Sequence, residues 1–182
     1  MNTIENKQPL FPGVKDGDTF KVGEFEFIKF PNASGQTPVV MKDIAFRSKF
    51  GKDNDFRSSE ILKQLELEVL PRIIAEIGEE NVCTFKTDLT TWDGLKVYGE
   101  LEGKISLPTM DFYRANVEIF DRYRASSWWW LATADSAQPH YDPICTLCVS
   151  PSGIIDHGLY GNDYGVRPIL IFKSSIFGSL ES

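Results

Sequence analysis

The sequence predicts an α+β domain, and three patterns predict it. From Phe20 to Phe30 apolar and polar residues alternate around Gly23, as in a hairpin with one buried face. From Ile61 to Ile77 apolar residues return at three- and four-residue steps, as along one face of a helix. Beyond Trp130, short apolar runs are separated by Ser-Pro-Ser-Gly and Gly-Asn-Asp turn signals, as in a set of short strands.

The elements follow in chain order. Residues 1–16 read as a lead-in broken by Pro9, Pro12 and Gly13. The hairpin comes next, with Phe20 and Val22 on one arm and Phe25 and Phe27 on the other. A loop at Pro31–Gly35 precedes a third strand in Val39–Ala45. The helical stretch carries Ile61, Leu62, Leu65, Val69, Leu70, Ile73, Ile74 and Ile77 on its apolar face. Asp55 or Ser58 is the expected cap and Gly78 the expected stop. Pro71 lacks an N–H and crowds the preceding turn, so a kink or break is expected there.

Residues 83–107 read as strand or irregular structure. Pro108-Thr109 then opens a second helix running to about Tyr123, with Met110, Tyr113, Val117 and Phe120 in one stripe and Thr109 as N-cap. Strands are expected near Ile144–Val149, Ile154–His157 and Val166–Phe172. The division is a lead-in at 1–16, one domain at 17–173 and a tail at 174–182. Trp130, Phe27, Leu65 and Ile169 are the expected core.

Length and composition are those of one folded domain: 182 residues, 42% apolar, 25% charged and 13% aromatic. A net charge of −7 excludes the basic footprint of a nucleic-acid binder. Most of that charge lies in residues 51–100, where eleven acids face six bases. Residues 1–8 are polar and no apolar run is long enough to span a bilayer. The three cysteines, Cys83, Cys145 and Cys148, form no disulfide framework, so a reduced, cytoplasmic setting is expected, or a virion if the protein is packaged.

The motifs point away from catalysis. Cys145 and Cys148 have C-x-x-C spacing, but on a strand two residues three apart leave opposite faces, so both read as small core side chains. His140 and His157 match no zinc spacing, and neither G-x-S-x-G nor a phosphate-binding loop is present. No catalytic residue, metal ligand or cofactor is assigned. Within Trp128-Trp129-Trp130, alternation predicts that Trp128 and Trp130 pack in the core, with Trp129 exposed or against another layer. Arg167, entering the last apolar strand, is expected to pair or to cap carbonyls.

Trp129-Trp130-Leu131-Ala132, the Ser-Pro-Ser-Gly turn and Tyr164-Gly165-Val166-Arg167-Pro168-Ile169-Leu170 resemble a domain family of gut-type bacteria, their phages and their prophages. Gly17-Asp18-Thr19-Phe20 to Phe27, Arg57–Leu62 and Lys104–Thr109 resemble its opening hairpin, first helix entry and second helix entry, so the likeness covers most of 17–172. That family resembles the C-type-lectin-like fold, in the branch shared with formylglycine-generating enzymes and receptor-binding proteins. The resemblance implies a mixed, twisted sheet with two helices and a loop-rich C-terminal lobe. It transfers no catalytic set: the enzyme branch uses a cysteine pair, and Cys145 and Cys148 sit in a different local context.

The leading expectation is therefore a non-enzymatic binding protein with a protein partner. Its surface would be built by the C-terminal loops from His140, Tyr141, Asp156, His157, Tyr160, Asn162, Asp163 and Tyr164. One alternative is an inhibitor of a host nuclease, of the anti-CRISPR type, that presents Glu60, Glu66, Glu68, Glu76, Glu79 and Glu80 to a basic partner. Another is a formylglycine-generating-type oxidase using Cys145 and Cys148. Direct nucleic-acid or membrane binding is not expected, and the oligomeric state is left open.

Overall fold

A computed structural model describes residues 8–178. Residues 1–7 of the expected lead-in and 179–182 of the expected tail lie outside the described residues. The fold is α+β, with two larger mixed or antiparallel sheets, a separate two-stranded ribbon and helical segments on both faces.

The hairpin forms as expected. β1 (Thr19–Val22) and β2 (Phe25–Lys29) pair antiparallel with Val22 opposite Phe25, so Gly23 and Glu24 make the turn. Gly23 has a φ of 56°, which a side chain would oppose. β3 (Gln36–Met41) follows, ending before the expected Ala45, and β4 (Phe46–Ser48) turns away into a different sheet.

The long helical stretch is one winding, with its defect in the turn before Pro71 rather than at Pro71 itself. α1 (Glu60–Gln64) runs into a π turn at Leu65–Val69 and then into α2 (Leu70–Ile77). The Leu70 N–H bonds the Leu65 carbonyl, five residues back, and Pro71 sits in the first turn of α2, where its missing N–H does least harm. Ser59, rather than Asp55 or Ser58, caps α1 by accepting from the Leu62 N–H at 3.0 Å. Asp55 caps the 3₁₀ turn before it. Gly78, at φ 85°, ends the helix as expected.

β5 (Phe85–Asp88) and β6 (Glu100–Gly103) form the ribbon, joined by a loop at 89–99. The second helical stretch reaches Tyr123 as expected, but it is broken at Asn116. Thr109 caps α3 (Met110–Ala115), Asn116 leaves helical geometry, and α4 (Val117–Phe120) runs into a 3₁₀ turn. That break rotates Val117 out of the stripe into solvent, while Tyr113 and Phe120 stay buried.

β7 (Trp129–Ala134), β8 (Cys145–Val149), β9 (Ile155–Leu159) and β10 (Tyr164–Val166) join β4 in a sheet ordered β4-β10-β7-β8-β9. β11 (Ile169–Lys173) instead completes the other sheet, ordered β1-β2-β3-β11. The expected single strand at Val166–Phe172 is thus split between two sheets. Pro168 cannot donate to a ladder, and Arg167 is drawn inward at the crossing. It is 1% exposed, with Nε donating to the Met41 carbonyl at 3.1 Å and a terminal nitrogen to Tyr123 at 3.2 Å. Its guanidinium lies 4.8 Å from the Trp129 ring centre, and burial pulls its pKa to about 10, so the charge persists at neutral pH. Arg167 caps carbonyls, one of the two roles expected of it.

Trp129 and Trp130, adjacent on β7, enter two different cores. Trp130 packs with Phe27, Leu65 and Leu170 on the α1–α2 side, and Trp129 with Tyr113, Phe120 and Leu131 on the α3–α4 side. As alternation predicts, Trp128 and Trp130 pack on one core, with Trp128 partly buried at its edge against Tyr164, while Trp129 meets the second layer. Residues on either side of 17–173 also pack on the core. Phe11 bonds the Ile176 carbonyl through its N–H, and Ile176 and Phe177 are buried beside Phe20.

Candidate functional site

The loop between β5 and β6 presents Trp92 to solvent, with 56% of its surface exposed. The loop is nonetheless fixed. The Trp92 N–H donates to the Ala134 carbonyl at 2.8 Å, and the Leu95 N–H to the Thr91 hydroxyl at 2.9 Å. Asp93 then ties the loop to the start of the 135–143 segment: Ser136 donates to its carboxylate at 2.7 Å, and His140 Nδ1 lies 2.9 Å away. Hydrogen bonds from Ser136 and Thr91, with a further one from His140, hold the Asp93 carboxyl at about 2.

The Trp92 ring lies edge-on to His157 of β9, at 5.7 Å between centres, and His157 Nδ1 is 3.1 Å from Asp135. Both histidines of the chain therefore meet an aspartate within one cluster formed by the 89–99 loop, the 135–143 segment and β9.

A hollow opens on each side of Trp92. The larger, about 520 Å³, is walled by Phe85, Leu107, Met110, Phe112 and Ile169, with Asp88 and Asp111 also lining it. The smaller, about 300 Å³, is lined by Met110, Arg114, Leu147, Ile155, Asp156 and His157. Both volumes are of the order of a small-ligand or side-chain pocket. An irregularity in β7 helps shape the larger hollow. Trp130 pairs with Cys148 but Ala134 with Thr146, so β7 carries extra residues between them. Thr133 within that stretch accepts the Met110 N–H at 2.9 Å and holds the start of α3 against the wall.

The eight expected binding residues fall into separate groups. His140, Asp156 and His157 belong to the Trp92 cluster. Tyr141 is exposed on the neighbouring segment, with only its backbone anchored. Tyr160, Asn162, Asp163 and Tyr164 lie elsewhere: Tyr164 packs on Trp128 and Trp130, Asn162 donates to the Tyr164 hydroxyl, and Asp163 pairs with Arg47. Tyr160 bridges the backbones of Phe50 and Ile144. Along β9, alternation turns His157 to the face of Leu147, beside Trp92, while Gly158 packs toward Trp130 and Tyr164 on the other face. The reading from sequence missed Trp92, Asp88, Asp93 and Asp111. A Trp in a Thr-Thr-Trp-Asp-Gly turn was the available signal, because a large aromatic in a turn has no strand or helix face to fill.

The acidic residues Glu60, Glu66, Glu68, Glu76, Glu79 and Glu80 are all exposed. Among the described residues only Glu79 of the six has an ion pair, with Lys104 at 3.0 Å. Cys145 and Cys148 leave opposite faces of β8. Cys148 is fully buried, donates weakly to the Asp156 carbonyl at 3.4 Å, and burial pushes its thiol up to about 12. Among the described residues no three His, Cys, Asp or Glu side chains are grouped to hold a metal. No described helix is long and apolar enough to cross a membrane.

Comparison with family models, with curated proteins and with solved structures finds no match to this chain.

Proposed function

We propose that this chain is a non-enzymatic binding protein that takes a protein partner on the Trp92 face, with His140, Asp156 and His157 of the expected C-terminal surface beside it. The observation that carries the reading is Trp92 itself, an exposed indole on a loop that hydrogen bonds fix between two hollows. An exposed aromatic gains most from a partner when the scaffold has already ordered it. The C-type-lectin-like likeness belongs to the same proposal. The mixed five-stranded sheet, the helical segments at 60–77 and 110–120 and the long 135–143 loop fit what the resemblance implies, and a mobile-element origin is proposed with it from the resemblance alone.

The test is capture of a partner from the native host with the intact chain, compared across two variants of unchanged melting temperature. Partner retained by Tyr141→Ala but lost from Trp92→Ala supports the reading. Equal capture by Trp92→Ala and wild type defeats it.

A second reading has its own observation. Glu60, Glu66, Glu68, Glu76 and Glu80 are exposed without an ion pair among the described residues, and Leu67 between two of them is 67% exposed. An acidic surface with an apolar centre suits the basic channel of a host nuclease, as in an anti-CRISPR-type inhibitor. Its binding should weaken steeply with salt and on reversal of Glu66, Glu68 and Glu76 to Lys; salt-independent binding removes it. The oxidase alternative draws no support from two thiols on opposite faces of a strand.

A further inference from the structure

The larger hollow has a chemical character that narrows what enters it. Its wall is apolar, built by Phe85, Leu107, Met110, Phe112 and Ile169, with Trp92 at one side. Its threonine oxygens already serve the fold: Thr109 accepts the Phe112 N–H, Thr133 accepts the Met110 N–H, and Thr87 bonds Ser106. The full charges are Asp88, Asp111 and Lys86, and Lys86 is paired with Glu100 at 3.1 Å. Lys96 attracts Asp88 but forms no ion pair with it within 4 Å. The Asp88 carboxylate accepts the Thr90 N–H at 2.9 Å and its hydroxyl at 2.6 Å, and these bonds lower its pKa, so it stays charged. An apolar chamber with two carboxylates and an exposed indole favours a cation carried on an apolar stem.

We infer that the hollow beside Trp92 takes a Lys or Arg side chain from an extended segment of the partner, together with a large apolar side chain next to it. This rests on the reading of a protein partner at Trp92. The methylene stem lies along the apolar wall, and the cationic head is drawn to Asp88, Asp111 and the indole face. A volume of about 520 Å³ has room for the basic side chain and an apolar neighbour. An anionic ligand would meet two carboxylates with no unpaired cation on that lining.

The test uses the full chain and two short probes, acetyl-Leu-Arg-amide and acetyl-Leu-citrulline-amide, which match in shape and differ in charge. Titration is followed by tryptophan fluorescence and by calorimetry, with Trp92→Phe assigning the optical signal. The Arg probe is expected to bind at millimolar concentration, about tenfold more tightly than the citrulline probe. Asp88→Asn with Asp111→Asn, shape-conserving changes at exposed positions, should abolish that preference while the melting temperature holds. Equal binding of the two probes overturns the inference, and so does no binding of the Arg probe at millimolar concentration. If the probes fail to discriminate while Trp92→Ala still loses the partner, the charge assignment falls and the binding face stands. If the Arg probe is preferred while Trp92→Ala keeps the partner, the hollow stands as a site for a cationic side chain and the partner reading falls.

Discussion

Trp130 and Trp92 are both held near the middle strands of the five-stranded sheet, and the chain treats them oppositely. Trp130 is 0% exposed, with Phe50 edge-on at 5.4 Å and its indole N–H donating to the Ser48 carbonyl at 3.0 Å. Every part of that side chain, apolar and polar, is used by the fold. Trp92 has its backbone N–H fixed to the end of the same strand, β7, but more than half of its surface faces water, and no protein hydrogen bond engages its indole nitrogen among the described residues. A folding role consumes the side chain, whereas a binding role fixes the backbone and leaves the side chain free. Substitutions at the two positions should separate those roles.

The largest effect is expected at Trp130. Trp130→Ala removes a fully buried indole and orphans the Ser48 carbonyl, at a cost of about 3–5 kcal/mol. Denaturant melts of the purified variant read this directly, and a loss below about 1 kcal/mol would mean that the ring is not a core element. Gly158→Ala probes the same packing from β9. A Cβ there would sit 2.7 Å from a Trp130 ring carbon and 2.8 Å from a Tyr164 ring carbon, too close for either ring to remain in place. Overpacking of about 1–3 kcal/mol is expected. An unchanged melting curve would show that the two rings move aside freely, which would blur the contrast with Trp92.

Much of the architecture was legible because it rests on local periodicity. The Phe20–Phe27 hairpin, the Ile61–Ile77 face, the Gly78 stop and the Thr109 cap each reside in a few neighbouring residues. The sheet assignment of β11 was not, because nothing local tells Val166 from Ile169; Arg167 and Pro168 decide it through contacts with Met41 and Tyr123, far away in sequence. The Trp128–Trp130 stretch was legible in its faces but not in its depths, since Trp128 stays only partly buried at the edge of the Trp130 core. Alternation gives the two faces, but only the tertiary fold supplies a core on each. The site was half legible. His140 and His157 were picked out by residue type, while Asp88, Asp93 and Asp111 are ordinary acids that acquire meaning when loop 89–99, α3 and β9 meet.

Trp92→Ala tests the other half of the comparison. It removes an exposed ring whose aromatic neighbour is His157, so stability should fall by less than about 1 kcal/mol while partner capture is lost. A destabilisation as large as that of Trp130→Ala would make Trp92 a structural residue and dissolve the distinction.

The smallest effect is expected from acid. Asp93 holds the Trp92 loop against Ser136 and His140, and its carboxyl titrates at about 2 rather than at the ordinary 3.8. A depressed carboxyl stabilises the folded state above its unfolded pKa, and that contribution is lost as pH falls through the folded value. The window therefore runs from about pH 4 down to about pH 2. The side chain is 26% exposed and solvent screens the interaction, so less than about 1 kcal/mol is at stake. What should change is local: protonation removes the charge that strengthens the bonds from Ser136 and Thr91, and the loop loosens before the cores do. Trp92 emission is then expected to shift across this window while far-ultraviolet circular dichroism still reports the folded sheets. Asp93→Asn should abolish the shift, because an amide does not titrate there. A shift that persists in Asp93→Asn, or one that coincides with global unfolding, would show that the Asp93 network does not hold Trp92 in place.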